Sequence, residues 1–219
     1  MPIETSGIYY RLLTVNDKKD VIESVANHFC MMDPLCISLK FSEKERYEYA
    51  TYAAMFLADN TSIGAFDGDQ LCGVQINCSS HYASVVNVEK YLQSVSPKTK
   101  YFIRFDDFLQ KVMDKFCGKN YIAGYWVSVD EAYSGRGVAQ QLVVRSIKRN
   151  TISGQFDSIV GIATAPESKH IAEKYGFNLV HKMKMSDYED ESTGERIFAD
   201  ASIASMHFVF KPLTPKANL

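Results

Sequence analysis

The sequence predicts a mixed α/β protein whose central sheet is flanked by helices. Short runs rich in aromatic and β-branched residues alternate with longer stretches in which apolar residues recur every three or four positions. The predicted element order is β-α-α-β-β-α-β-α-β-α-β-β, so strands adjoin each other near both ends of the chain. A helix between two central strands allows those strands to run parallel, and we therefore expect a mixed sheet.

The first part of the chain is expected to form a strand at residues 8–15 and then two helices. Asn16 or Asp17 is a candidate cap for the first helix, which ends near residue 32 because proline disfavours helical angles at the residue before it. We therefore predict a loop at Asp33-Pro34-Leu35. The spacing of Ser42 and Glu45 is typical of a capping box and predicts a second helix that runs to about residue 59.

The middle of the chain is expected to contain a hairpin and a long amphipathic helix. Strands at 61–66 and 71–78 flank Asp67-Gly68-Asp69, a sequence typical of a tight turn. A short helix is predicted at 88–95. Ser96-Pro97 opens a longer helix, and Gly118 ends it. Its apolar stripe, from Phe102 to Phe116, is interpreted as core packing.

The last part of the chain is predicted to continue the alternation. A strand at 121–129 leads through glycines into a helix at 138–147, and a strand at 156–164 precedes a helix from 166 to 175 that ends at Gly176. Strands at 177–188 and 202–211 are joined by the acidic segment 190–195, which we expect to be a solvated loop.

Composition limits the function classes. The chain has 219 residues, 46% hydrophobic and 23% charged, which fits one soluble globular domain spanning 1–219. A net charge of −2 without a basic run argues against a nucleic-acid partner, and the absence of an apolar run of about 20 residues argues against a membrane partner. Five scattered cysteines without a C-x-x-C pair predict no metal. With no signal peptide evident, we expect a cytoplasmic protein.

The glycine turn at residues 134–139 is the strongest candidate for a binding site. Ser134-Gly135-Arg136-Gly137-Val138-Ala139 joins a strand to a helix, so main-chain N–H groups and the positive end of the helix dipole converge there. The spacing matches neither G-x-G-x-x-G nor the P-loop. Two interpretations remain at this point, a phosphate cradle and a plain β–α turn.

The turn resembles the pyrophosphate loop of the GCN5-related N-acetyltransferases (GNAT family), which carries Gln or Arg, then glycine three residues later and Gly or Ala two residues after that. Gly137 and Ala139 match, while Ser134 replaces Gln or Arg. The element order resembles that family over nearly the whole chain. The resemblance implies acetyl-CoA as co-substrate, held between splayed central strands. The implied acetyl-CoA contacts are Val127, Val129, Ser134, Gly135, Arg136, Gly137, Val138, Ala139 and Gln140.

Two further segments resemble the arylalkylamine N-acetyltransferases of insects. Residues 27–35 resemble a segment in which an acidic residue before Pro-Leu is the proposed general base, which implies that role for Asp33. Ser168 lies nine residues before Phe177, where such enzymes carry a serine, and the resemblance implies that it assists the thiol. Thr164 occupies the position of the family's other serine, four residues earlier, and also carries a hydroxyl. Ala172 occupies the position of the tyrosine acid of many other relatives. From the residues alone, Asp33 is interpreted as a turn residue and Ser168 as a cap or first-turn residue of its helix.

The resemblance implies direct transfer of acetyl to a small primary amine of the dopamine, serotonin, tyramine and octopamine class. The alternatives are polyamine or amino-acid acceptors on the same fold, and a non-catalytic acyl-CoA-binding module. His28 and His81 are further candidate bases. A monomer or weak dimer is expected. Aromatic residues that we expect to line an amine pocket through cation–π contacts are Tyr9, Tyr10, Phe41, Tyr47 and Tyr82.

Overall fold

The central sheet of the computed structural model contains seven strands within the residues that the structure describes, 7–83, 88–199 and 205–213. The spatial order is β1-β2-β3-β4-β5-β7-β6, in which β4 and β5 are parallel and the other neighbours antiparallel. The mixed sheet is therefore confirmed. The strands are β1 (Ile8–Leu12), β2 (Ile63–Asp67), β3 (Gln70–Ser79), β4 (Tyr121–Val129), β5 (Ser158–Ala163), β6 (Asn178–Met183) and β7 (Met206–Pro212).

The helices follow the predicted order with additional short turns. They are α1 (Lys18–Ser24), a π-helical turn (Val25–Phe29), α2 (Cys30–Met32), α3 (Pro34–Ser38), α4 (Glu43–Ala53), α5 (Ser80–Ala83), α6 (Glu89–Leu92), α7 (Pro97–Cys117), α8 (Val138–Ser153) and α9 (Pro166–Lys174). Short 3₁₀ segments are Val15–Asp17, Ala54–Asp59, Glu131–Tyr133 and Met185–Asp187. None of the described helices is long and apolar enough to cross a membrane.

Local capping explains where the prediction succeeded and where it failed. The capping box of Ser42 and Glu45 is present at the start of α4. Asp17 occupies the predicted N-cap position of α1, but its side chain makes no cap hydrogen bond there, because it forms a capping box with Thr14 one turn earlier. The strand predicted at 177–188 is shorter than expected, since it ends at Met183 and residues 185–187 form a 3₁₀ turn. Residues 202–204, where the last predicted strand was expected to begin, lie outside the described residues.

The loop predicted at Asp33-Pro34-Leu35 is also wrong. Asp33 has extended backbone angles and accepts hydrogen bonds from the main-chain N–H groups of Leu35 and Cys36, so it is the N-cap of α3. The proline that ends one helix occupies the first turn of the next, where its missing N–H is tolerated. The carboxylate is therefore fixed at a sharp corner between two helices.

Helices cover both faces of the sheet. The larger core includes Val21, Tyr49 and Phe102 from α1, α4 and α7, together with Trp126 of β4. On the opposite face, Val138 and Leu142 of α8 pack in a separate cluster. The sheet thus separates two layers, and any gap between its strands connects them.

Such a gap opens between the two parallel strands. Pairing of β4 with β5 begins at Tyr121–Ser158 and ends at Gly124–Gly161. The register between β3 and β4 shifts at the same level and leaves Tyr125 as an extra residue, a β-bulge. Because a bulge bends its strand, β4 turns away while β5 remains paired with β7 as far as Ala163. The predicted splay of the central strands is confirmed.

Candidate functional site

A cleft of about 330 Å³ occupies the fork between β4 and β5. Both diverging strands line it over residues 124–129 and 159–164, and it extends to α8 and α9 at one end and to α2, α3 and α7 at the other. The cleft therefore connects the helices on one face of the sheet with those on the other.

The glycine turn lies at the α8 side of this cleft. Gly135 and Gly137 have positive φ angles of 72° and 77°, which glycine adopts without strain. Gly137 is the N-cap of the 16-residue α8, and the first N–H groups of a helix have no carbonyl partner within it. The exposed Arg136 guanidinium lies 4.8 Å from the ring centre of Tyr133. Unpaired N–H groups, the helix dipole and a cation make this turn suitable for an anion.

The predicted cofactor contacts divide into two groups. Val127, Val129 and Ala139 line the cleft, whereas residues 134–138 and Gln140 form the adjoining turn and first helical turn. Beyond Gly124, no strand among the described residues pairs with the edge of β4 on the β5 side. The Gln140 side chain accepts a hydrogen bond from Lys174 Nζ at 2.7 Å, which connects α8 to α9.

Asp33 and Thr164 meet at the fork although they are distant in the chain. Asp33 is only 7% exposed and lines the cleft. Its Oδ1 accepts the N–H groups of Leu35 and Cys36, each at 3.0 Å, and its Oδ2 lies 3.5 Å from the Thr164 hydroxyl. Burial raises the pKa of the Asp33 carboxyl, and these hydrogen bonds only partly oppose the rise. A carboxylate with a raised pKa is a stronger proton acceptor.

Ser168 lines the same cleft from the first turn of α9. Its hydroxyl donates to the Ala165 carbonyl at 2.8 Å and accepts from the Ala165 N–H at 3.2 Å. This side chain is therefore engaged in capping α9. Ala172 is buried next to the cleft. His28 also lines the cleft, with its imidazole 3.9 Å from the Asp130 carboxylate, whereas His81 is not a lining residue.

The aromatic lining differs from the prediction. Tyr9, Tyr10, Phe41, Tyr47 and Tyr82 are not lining residues. Rings that do line the cleft include Phe29, Tyr49, Phe102, Tyr125 and Trp126. The predicted set is wrong because the rings that reach the fork come from the π-helical turn, α4, α7 and β4.

The structure adds polar groups that the sequence interpretation missed. Asp106 of α7 is 6% exposed and lines the cleft, and the Tyr49 hydroxyl donates a hydrogen bond to it. Its position within the stripe at Phe102 and Leu109 was a usable signal, because a carboxyl on an apolar helix face requires explanation. Ser128 and Gln75 also line the cleft, and Ser128 Oγ and Gln75 Oε1 have no hydrogen-bond partner among the described residues.

The cleft is acidic. Asp33, Asp106 and Glu167 line it, and none of the described lining residues is Lys or Arg. An acidic and aromatic cavity favours a cationic ligand.

No family model matches the sequence. The structure is similar to that of a mosquito arylalkylamine N-acetyltransferase-like protein 5b, with a TM-score of 0.76 and 19% identity over 94% of this chain and 99% of that chain. Arylalkylamine N-acetyltransferase 2 from Aedes aegypti gives a TM-score of 0.75 at 21% identity, covering 95% of this chain and 100% of that chain. A Drosophila melanogaster polyamine N-acetyltransferase, which forms N-acetylagmatine, gives 0.74 at 14% identity, covering 94% and 99%.

Proposed function

We propose that this chain, which has the GNAT fold, is an acetyl-CoA-dependent N-acetyltransferase for the primary amine of small arylalkylamines. The observation that carries the proposal is the cleft at the β4–β5 fork, which extends from the first turn of α8, next to the glycine turn, to the buried carboxyl of Asp33. We further propose that residues 1–219 act as one cytoplasmic domain.

The turn at residues 134–140 would hold the diphosphate of acetyl-CoA through main-chain N–H groups, with Arg136 as an additional cation. The open edge of β4 at Val127 and Val129 offers main-chain groups to the pantetheine arm. Acetyl-CoA supplies the acetyl group as a thioester. The fit is supported by the two positive-φ glycines and by the absence of a paired strand at that edge among the described residues.

Asp33 is proposed to take the proton from the acceptor amine. A primary alkylamine has a pKa of about 10.4, so deprotonating it at neutral pH costs about 4–5 kcal/mol. The raised pKa of Asp33 and its burial beside the fork favour this proton transfer, either directly or through a water molecule. Thr164 orients the carboxylate, and Ser168 is proposed to assist the departing thiol.

An arylalkylamine fits the lining better than an aliphatic chain because Tyr49, Phe102 and Trp126 offer flat apolar surfaces. The second candidate acceptor is a polyamine. The observation in its favour is the acidic lining, which would match a second positive charge.

Thiol release from acetyl-CoA, measured with an Ellman-type reagent, tests the function. We expect release with phenethylamine, tyramine and tryptamine, and weaker release with putrescine and agmatine. The reverse order would assign a polyamine acceptor. Binding of acetyl-CoA without release for any amine would contradict catalysis and favour an acyl-CoA-binding module.

A further inference from the structure

Asp106 is a buried carboxyl in the cleft that acetyl transfer as proposed above does not use. It lies on α7 between Phe102 and Leu109, and only 6% of its surface is exposed. Asp33 already provides a carboxyl at the fork, next to Thr164. A buried carboxyl is unfavourable unless its oxygens are hydrogen-bonded, and this one lines the cavity, where a ligand can reach it.

A chain of hydrogen bonds fixes the orientation of this carboxyl. Trp126 Nε1 donates to the Tyr49 hydroxyl at 2.9 Å, and that hydroxyl donates to Asp106 Oδ2 at 2.9 Å. Because the Tyr49 oxygen accepts from Trp126, its own proton is directed at Asp106. Tyr49 is the only described residue that hydrogen-bonds Asp106. A carboxyl group has several hydrogen-bonding sites on its two oxygens, and the Tyr49 hydroxyl occupies one of them, so Asp106 can also hydrogen-bond a ligand.

No cation neutralises Asp106 among the described residues. The charged groups that act on it are Asp107 and Asp33, both acidic. The nearby phenols are Tyr49, Tyr52, Tyr125 and Tyr188. Burial raises the pKa of the Asp106 carboxyl well above its ordinary value, and the Tyr49 hydrogen bond opposes this only in part. A protonated carboxyl can both donate and accept a hydrogen bond.

We propose that Asp106 is a specificity-determining residue that hydrogen-bonds a hydroxyl group on the aromatic ring of the acceptor amine. A hydroxyl donates and accepts, so it fits the carboxyl in either protonation state, whereas an ammonium group requires the charged form. The rings of Tyr49, Phe102 and Trp126 surround the same part of the cleft and provide surfaces for the substrate ring. The inference rests on the proposed acetyltransferase function and assigns to Asp106 the preference for acceptors with a ring hydroxyl.

The test compares kcat/KM for tyramine and for phenethylamine, which differ only in the ring hydroxyl. We expect the wild-type protein to prefer tyramine by roughly tenfold to a hundredfold, because the analogue leaves a buried polar group without its partner. In Asp106→Ala the ratio falls close to one, and the loss for tyramine falls mainly on KM. Asp107→Asn is the matched control, since that neighbouring carboxyl is exposed and does not line the cleft; its ratio stays at the wild-type value.

Asp106→Asn is a second variant. Its amide oxygen still accepts the hydrogen bond from the Tyr49 hydroxyl, so the packing around Tyr49 is preserved. We expect this variant to reduce the ratio at least threefold. Equal turnover of both amines by the wild-type protein, or a ratio that Asp106 variants leave unchanged, would overturn the inference while the acetyltransferase function stands. A preference for putrescine that Asp106→Asn abolishes would also overturn it and assign the carboxyl to a second cation. If none of the amines caused thiol release from acetyl-CoA, both proposals would be overturned.

Discussion

Replacing Asp33 with asparagine separates its two roles. Asp33 Oδ1 caps α3 by accepting two main-chain N–H groups at 3.0 Å, and its raised pKa makes it suitable as a base. Asparagine keeps an oxygen for the cap but cannot take a proton. Alanine removes both functions.

The magnitudes follow from these contacts. Asparagine and aspartate are about equal as N-caps, so we expect Asp33→Asn to change the free energy of unfolding by a few tenths of a kcal/mol; Asp33→Ala lowers it by about 1–2 kcal/mol. Loss of a general base lowers kcat/KM roughly 10²- to 10⁴-fold at neutral pH. Between about pH 7 and pH 9 the neutral fraction of the amine rises roughly hundredfold, so the deficit shrinks by up to that factor.

The assay is thiol release at both pH values, with stability measured by denaturant unfolding of the same samples. Comparable activity losses in both variants, with a stability loss only in Asp33→Ala, would support the base assignment. An Asp33→Asn enzyme that is fully active, or that loses the same factor at both pH values, would remove Asp33 as the base.

Three further outcomes are expected. Thr164→Val removes a hydrogen bond that lowers the pKa of Asp33, so the acidic limb of the pH–rate profile should move to higher pH. If the limb did not move, Thr164 would have no influence on the pKa of the base. Ser168→Ala should lower kcat without weakening acetyl-CoA binding, whereas lower thermal stability with unchanged kcat would leave Ser168 only its cap on α9. Because the pKa of Asp106 is raised in the folded state, the stability that its protonated form provides is complete below the ordinary value of 3.8 and is lost as pH rises. Asp106→Asn lacks this loss, so denaturant unfolding at several pH values should show the variant gaining stability relative to wild type as the pH rises above about 4; a constant difference would contradict the raised pKa.

Local chemistry made much of the fold predictable. Three features depend only on residues that are close together in the chain. They are the bounds of β4, the capping box at Ser42 and the end of α7 at Gly118. The α3 helix was missed because Pro34 carries two opposite signals, ending one helix and opening the next.

The acceptor end of the site was less predictable because it is assembled by tertiary contacts. Tyr49, Asp106 and Trp126 are joined by hydrogen bonds across 57 and 77 residues of sequence. The bulge at Tyr125 decides where β4 leaves β5, and no local pattern in the chain marks it. Asp33 and Ser168 were suggested by resemblance, and the structure lines one cleft with both of them.

The most direct test of the account is a calorimetric titration of acetyl-CoA into three proteins: wild type, Gly137→Asp and Gly154→Asp. The two glycines lie at opposite ends of α8 with similar φ angles of 77° and 61°, so both substitutions introduce comparable backbone strain. We expect the wild type to bind, Gly137→Asp to bind at least roughly tenfold more weakly because its carboxylate repels the diphosphate, and Gly154→Asp to bind like wild type. Absence of binding to the wild type, or equal affinity in all three proteins, would contradict the account.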